Sequence, residues 1–148
     1  MAKWAQGQYI PKNPDKYIGK HTPKYRSGWE LRVMMFLDEN KHILKWASEA
    51  IAIPYINPLT GKRANYIPDF FVMYENKHHK TNAEIIEVKP KSQTSLQEAK
   101  SKHDKLHAIV NQAKFAAAMA YCRQQGFVFR VVSEDSIFMN TTSKKGKR

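Results

Sequence analysis

The sequence predicts a mixed α/β fold, one sheet with flanking helices in the order αβββαβ, and three observations predict it. The stretch SGWE at Ser27 to Glu30 is a capping box, and Leu31, Met34, Met35 and Asp38 follow it at helical spacing. Two strand-like runs, YIPDFFVMY and EIIEVK, flank a polar segment from Glu75 to Asn82, which is a hairpin pattern with a longer loop. A second helical stripe closes at Gly126 and leads into the apolar run FVFRVV.

Taken in order, residues 1 to 24 hold Pro11, Pro14 and Pro23 and no sustained period, so they read as an ordered or semi-ordered basic arm. Its aromatics Trp4, Tyr9 and Tyr17 are expected to cover the core rather than stack on bases. Helix one is predicted from Ser27 to Asn40. A short apolar turn around Trp46 precedes a strand near Ile51 to Ile56, and Asn57, Pro58, Thr60 and Gly61 supply a turn before the strand that carries Asp69. Three strands would then form a meander. Pro54 and Pro68 cannot donate to a ladder, which points to edge positions or bulges. The last helix starts either at Ser95, where SLQE is another capping box, or nearer Leu106. Its apolar positions fall into two stripes, Ile109, Ala113, Ala116 and Ala120 beside Phe115, Met119 and Cys122. Phe127 to Val132 is expected as a buried strand. The main domain is thus predicted over residues 25–139, and the tail 140–148, with little to bury, as a flexible basic segment.

Composition narrows the function. The 148 residues carry 25 Lys and Arg against 13 Asp and Glu, a formal charge of +12, which is the footprint of a polyanion binder. The longest apolar run, Phe115 to Cys122, is too short for a membrane span and no secretory segment opens the chain, so no membrane partner is expected. One cysteine, Cys122, excludes an internal disulfide and suits a reducing cytoplasm. The histidines lack zinc-site spacing.

The chemistry concentrates at the hairpin. With the turn centred near His78, Asp69 and Glu87 are equally far from it and face each other across an antiparallel pair. Period 2 places Lys89 on the same face as Glu87. Two carboxylates so close are unfavourable unless a cation lies between them, and magnesium takes carboxylate oxygens. The competing reading is a solvated strand face with a cross-strand salt bridge. Glu30 has a simpler account, because its capping-box position explains it without catalysis.

The order SGWE, PDF, EVK, then a helix with NxxKF and a closing FVFRVVSE resembles the PD-(D/E)xK nuclease superfamily with its restriction-endonuclease-like core. More closely, YRSGWELRVMMFLD, KWASE, IPYINP, YIPDFFV and IIEVKP resemble the head completion nucleases of large tailed bacteriophages, over roughly Tyr9 to Glu134. The endonuclease subunit of heteromeric transposases is similar in the order of its elements. The resemblance implies magnesium-dependent cleavage of double-stranded DNA, with manganese as a substitute ion. Asp69 and Glu87 would be metal ligands, joined by Glu30 as the helix-one acid, and these three with Lys89, near the attacking water, would form the catalytic set. Asn111 and Lys114 map onto the family's later lysine-bearing helix, where, one turn apart, they can share a face as phosphate contacts of the DNA or as solvated positions. Arg26, Lys91, Lys144 and Lys145, in the basic stretches of the chain, are expected to contact DNA electrostatically, and no base-reading motif is evident. The implied setting is the host cytoplasm during phage assembly, or the virion, with head, portal or neck proteins as further partners. A DNA-binding head protein with a vestigial nuclease fold, a junction resolvase and a transposase-type endonuclease are the alternatives, and the oligomeric state is left open.

Overall fold

A computed structural model describes residues 6–135. Ten regular elements of the described chain follow in order: β1 (Gly7–Gln8), β2 (Lys24–Tyr25), α1 (Gly28–Glu39), β3 (Ile43–Ser48), β4 (Ile53–Ile56), β5 (Arg63–Tyr66), β6 (Phe70–Glu75), β7 (Thr81–Val88), α2 (Lys102–Gln125) and β8 (Val128–Val132). The main sheet has the order β3-β6-β7-β8, antiparallel except for the β7–β8 pair. This is the mixed α/β, restriction-endonuclease-like fold.

The hairpin of β6 and β7 places the site. Phe70 pairs with Ile86 and Glu75 with Thr81, so the register is symmetric about residue 78 as predicted. Alternation then sorts the side chains between two cores. Phe70, Val72, Ile86 and Val88 join Met34 and Leu37 of α1 and Trp46, whereas Phe71 and Ile85 join Ala118 and Cys122 of α2. Glu87 follows Ile85 toward the α2 side.

Helix α1 begins where the capping box predicts: Ser27 Oγ accepts from Glu30 N at 3.1 Å. The reciprocal bond differs, because Glu30 Oε1 accepts from the amide of Arg26 rather than from that of Ser27.

Five expectations are corrected. The residues around Trp46 are not a turn but strand β3, which pairs with β6 along its length. Trp46 and Ala47 are buried in succession, since β3 is covered on both faces, and this erases the alternation by which a strand is recognised. The run Ile51 to Ile56 lies outside the main sheet: β4 pairs only with β5, through a turn at Asn57 to Lys62, as a separate ribbon inserted between β3 and β6. Pro54 sits in that ribbon and the buried Pro68 in the break before β6, where neither has to donate to the main sheet. Helix α2 starts at neither expected point; Ser101 caps it by accepting from Asp104 N, and Ser95 caps only a turn. Its buried stripe is Ala108, Asn111, Phe115, Ala118 and Cys122, with Met119 48% exposed, because an alanine-rich helix offers apolar positions all round and its periodicity does not choose a face. Finally, β8 is an edge strand, not a buried one, and Val128 at its start is exposed.

The N-terminal residues pack on the core. Tyr9 and Tyr17 lie against Trp46, with ring centroids 6.3 and 4.7 Å away. Trp4 and the tail 140–148 fall outside the described residues. Asp38, fully buried near the end of α1, fastens this segment: its carboxylate accepts from Tyr9 Oη at 2.5 Å, Lys12 N at 2.7 Å and Asn13 N at 3.1 Å. Alanine at position 38 would strand these donors, and buried unpaired donors cost about 1–3 kcal/mol each before relaxation. Asp38→Ala is expected to lower stability by about 2–4 kcal/mol, read from a denaturant melt.

Candidate active site

Asp69 stands one residue before β6 and is held from both sides. Its carbonyl accepts from Glu49 N at 2.9 Å, continuing the β3 ladder, and its amide donates to Glu87 Oε1 at 3.2 Å. Its carboxylate accepts from Val88 N at 2.7 Å. Glu87, buried at 4% exposure, also accepts from the hydroxyl of Tyr66 at 2.8 Å, and its second oxygen lies 3.6 Å from Lys89 Nζ. The amide of Lys89 donates to Val132 O at 3.0 Å, so the parallel ladder with β8 fixes its backbone.

Electrostatics at this corner are strained toward neutralisation. Burial, then the charges of Glu87 and Glu30, push the Asp69 carboxyl well above its ordinary range. Burial likewise raises Glu87, opposed by Lys89, Tyr66, the amide of Asp69 and Lys114. Glu30 is raised by burial too, against the bond from Arg26 N and the charge of Arg26. A cation relieves such a set, because it favours the charged form of every member.

The residues fit a hard divalent ion of the magnesium type. Backbone amides and Tyr66 occupy Asp69 Oδ2 and Glu87 Oε1, which leaves one oxygen of each carboxylate less encumbered. Among the described residues no three acidic, histidine or cysteine side chains are gathered into a metal-binding group, so the expected three-ligand set with Glu30 is not assembled. Two carboxylates suffice for magnesium, which keeps several waters and takes further oxygens from substrate phosphates. Glu30 acts on Asp69 through its charge.

Two comparisons bear on this corner. A family model described as the TnsA-like endonuclease N terminal matches residues 40–134, which include Asp69, Glu87 and Lys89. The chain belongs to the TnsA-like endonuclease family. It is also 33% identical over 144 residues to the head completion nuclease of Enterobacteria phage T4, across 88% of this chain and 92% of that protein. This TnsA-like chain is therefore a nuclease by family. Glu30 precedes the matched region, whereas Asn111 and Lys114 fall inside it.

The other predicted positions are less uniform. Arg26 and Lys91 are exposed but ion-paired, Arg26 with Glu49 and Lys91 with Asp135 at 2.9 Å. Asn111 does not reach the surface: it is 2% exposed and donates to Gln93 O at 2.9 Å, so it anchors the loop before α2 instead of meeting a phosphate. Lys114 is half-buried, its Nζ 5.9 and 5.7 Å from the ring centroids of Tyr55 and Tyr66. Burial, then the charge of Lys89, lowers its pKa, while Glu87 opposes the shift. Lys144 and Lys145 lie outside the described residues.

Sequence reasoning missed Tyr66 and Glu49. Tyr66 stands three residues before Asp69, and the signal available was an aromatic hydroxyl close to a Pro-Asp turn. Glu49 ends the KWASE stretch and has a φ of 52°, uncommon for a residue other than glycine. Its carboxylate holds Arg26 and its amide holds Asp69. Tyr66→Phe removes the hydroxyl that steadies Glu87 and is expected to reduce cleavage by about 10- to 100-fold. The same bond lowers the Glu87 pKa, so the acid limb of the pH–rate profile should move to higher pH in this variant.

Proposed function

We propose that the protein is a magnesium-dependent endodeoxyribonuclease of the head completion type, hydrolysing phosphodiesters of double-stranded DNA. The observation that carries this reading is the corner where Asp69 and Glu87 share a hydrogen bond and Lys89 stands 3.6 Å from Glu87. Asp69 and Glu87 would hold the ion. When bound, a divalent ion supplies Lewis acidity toward a phosphoryl oxygen and the groups around it.

The remaining chemistry belongs to the chain. Lys89 brings an ammonium to the place where the phosphodiester and the attacking water meet, where it orients the water and stabilises charge as the P–O bond breaks. Tyr66 and the amide of Asp69 keep the Glu87 carboxylate in one orientation, as preorganised sites require. Lys114, braced between two tyrosine faces, adds a second cation on the α2 side. Two carboxylates forced together at a cost also favour a working site over a vestigial one, since a DNA-binding head protein has no need of that repulsion.

Similarity to the head completion nuclease supports a role in trimming DNA at a filled phage head before tail attachment, in the host cytoplasm, with head, portal or neck proteins as partners. The net charge of +12 supports largely electrostatic, sequence-tolerant binding. Supercoiled, linear and branched DNA incubated with the purified protein, with and without magnesium, tests the reading. Cleavage only with the ion is expected, with manganese able to replace it. No cleavage of any of these DNAs in either ion counts against it.

A further inference from the structure

The inserted ribbon of β4 and β5 has one face packed and one bare. Ile53, Tyr55, Ala64 and Tyr66 turn inward, and Ile53 and Tyr66 join the core beneath α2. The opposite face carries Pro54, Ile56, Arg63 and Asn65, all exposed, with Ile56 paired to Arg63 and Pro54 to Asn65. Ile56 is 55% exposed and Leu59, at the tip, 49%. No Asp or Glu occurs between Ala50 and Pro68, whereas Lys62 and Arg63 do. Neither of those two has an ion-pair partner among the described residues.

The tip is braced. Asn57 Oδ1 accepts from Leu59 N at 2.8 Å, Thr60 Oγ1 accepts from Lys62 N at 3.2 Å, and Gly61 takes the left-handed conformation, φ 71°, which a side chain would disfavour. The base is tied to the site, since Tyr66 donates to Glu87 and both ribbon tyrosines flank Lys114. Four residues of β5 at about 3.3 Å each carry the tip roughly 13 Å from Tyr66. A two-stranded ribbon with a basic, partly apolar outer face thus stands beside the corner that holds Asp69 and Glu87, its inner face packed toward Glu87 and Lys114.

We propose that this face enters the major groove of the substrate duplex and sets the position of the DNA over Asp69 and Glu87. The major groove, about 12 Å wide, admits a two-stranded β-ribbon, and the minor groove, about 6 Å wide, does not. Arg63 and Asn65 are side chains that bond base edges and phosphates, and Lys62 neutralises a phosphate. Ile56 and Leu59 meet thymine methyl groups or the groove wall. The assignment rests on the nuclease reading, because it places the ribbon on that enzyme's substrate.

Two measurements without magnesium, so that no DNA is cut, test it. Duplex affinity by fluorescence anisotropy should fall about tenfold or more in Arg63→Ala with Lys62→Ala, with melting temperature unchanged because both side chains are exposed. The thiolate of Leu59→Cys should attack an activated disulfide tethered to a base in the major groove, forming the protein–DNA disulfide as the tether's leaving thiol departs, and much less with a minor-groove tether. The native Cys122 is buried and gives little background. Unchanged affinity together with no preference for the major-groove tether overturns the proposal. So does self-association of the wild type that Ile56→Asp abolishes while DNA affinity stays intact, since the bare face then covers another copy of the chain. If the wild type cleaves DNA and the ribbon variants match it, only the ribbon assignment fails; if the wild type does not cleave, the nuclease reading fails first.

Discussion

Asparagine at position 69 is expected to lower magnesium-dependent DNA cleavage by at least about a thousandfold while leaving the protein folded. The substitution keeps the volume and removes the charge of one of two ion-holding carboxylates. A metal's contribution to transition-state stabilisation is several kcal/mol, and each ~1.4 kcal/mol is a factor of ten. Stability should move the other way. Burial, Glu87 and Glu30 raise the Asp69 pKa, so the folded protein holds that proton more tightly than the unfolded chain does. Its stabilising contribution is complete below the ordinary value of 3.8 and is lost as pH rises through the folded value. At neutral pH without metal, Asp69→Asn should therefore melt above the wild type, and the gap should close as pH falls toward 4. Full cleavage by this variant would remove Asp69 from the mechanism.

Alanine at position 89 should separate ion holding from chemistry. Lys89 touches Glu87 at 3.6 Å and is proposed to act on water and phosphate, so its loss is expected to reduce cleavage by about 10²- to 10³-fold, as for other preorganised charge-stabilising groups. Stabilisation by magnesium should persist. The ammonium also lowers the Glu87 pKa, so the acid limb of any residual activity should shift upward in pH. A purely structural salt bridge predicts normal cleavage together with a clear loss of stability, because Lys89→Ala leaves the buried Glu87 carboxylate without its partner. Kinetics and melting curves on the same preparation distinguish the two.

The hairpin was legible because its information is local: symmetric strands about residue 78 bring positions 69 and 87 opposite each other, and period 2 adds Lys89. Helix α1 was equally legible from Ser27 and Glu30. What was not legible depends on tertiary covering. Trp46 and Ala47 lose their alternation because both faces of β3 are buried, and β4 pairs with β5 instead of entering the sheet. Asn111 was singled out by its place on the family's lysine-bearing helix, as a phosphate contact or a solvated residue; only the loop carbonyl of Gln93 accounts for its place in the buried stripe. Tyr66 and Glu49 belong to the site through contacts spanning about twenty residues or more of sequence, to Glu87 and to Asp69 and Arg26. Neither local periodicity nor a short motif encodes such contacts.

The central claim is that Asp69 and Glu87 together hold a divalent ion, and the most direct test is the shift in melting temperature on adding magnesium near pH 8, compared among the wild type, Asp69→Asn and Glu87→Gln. An ion that binds only the folded state stabilises it by RT ln(1 + [L]/Kd), about 2.7 kcal/mol at a hundredfold excess over Kd. The account predicts a concentration-dependent upward shift in the wild type and none in either variant. An equal shift in all three proteins would contradict it.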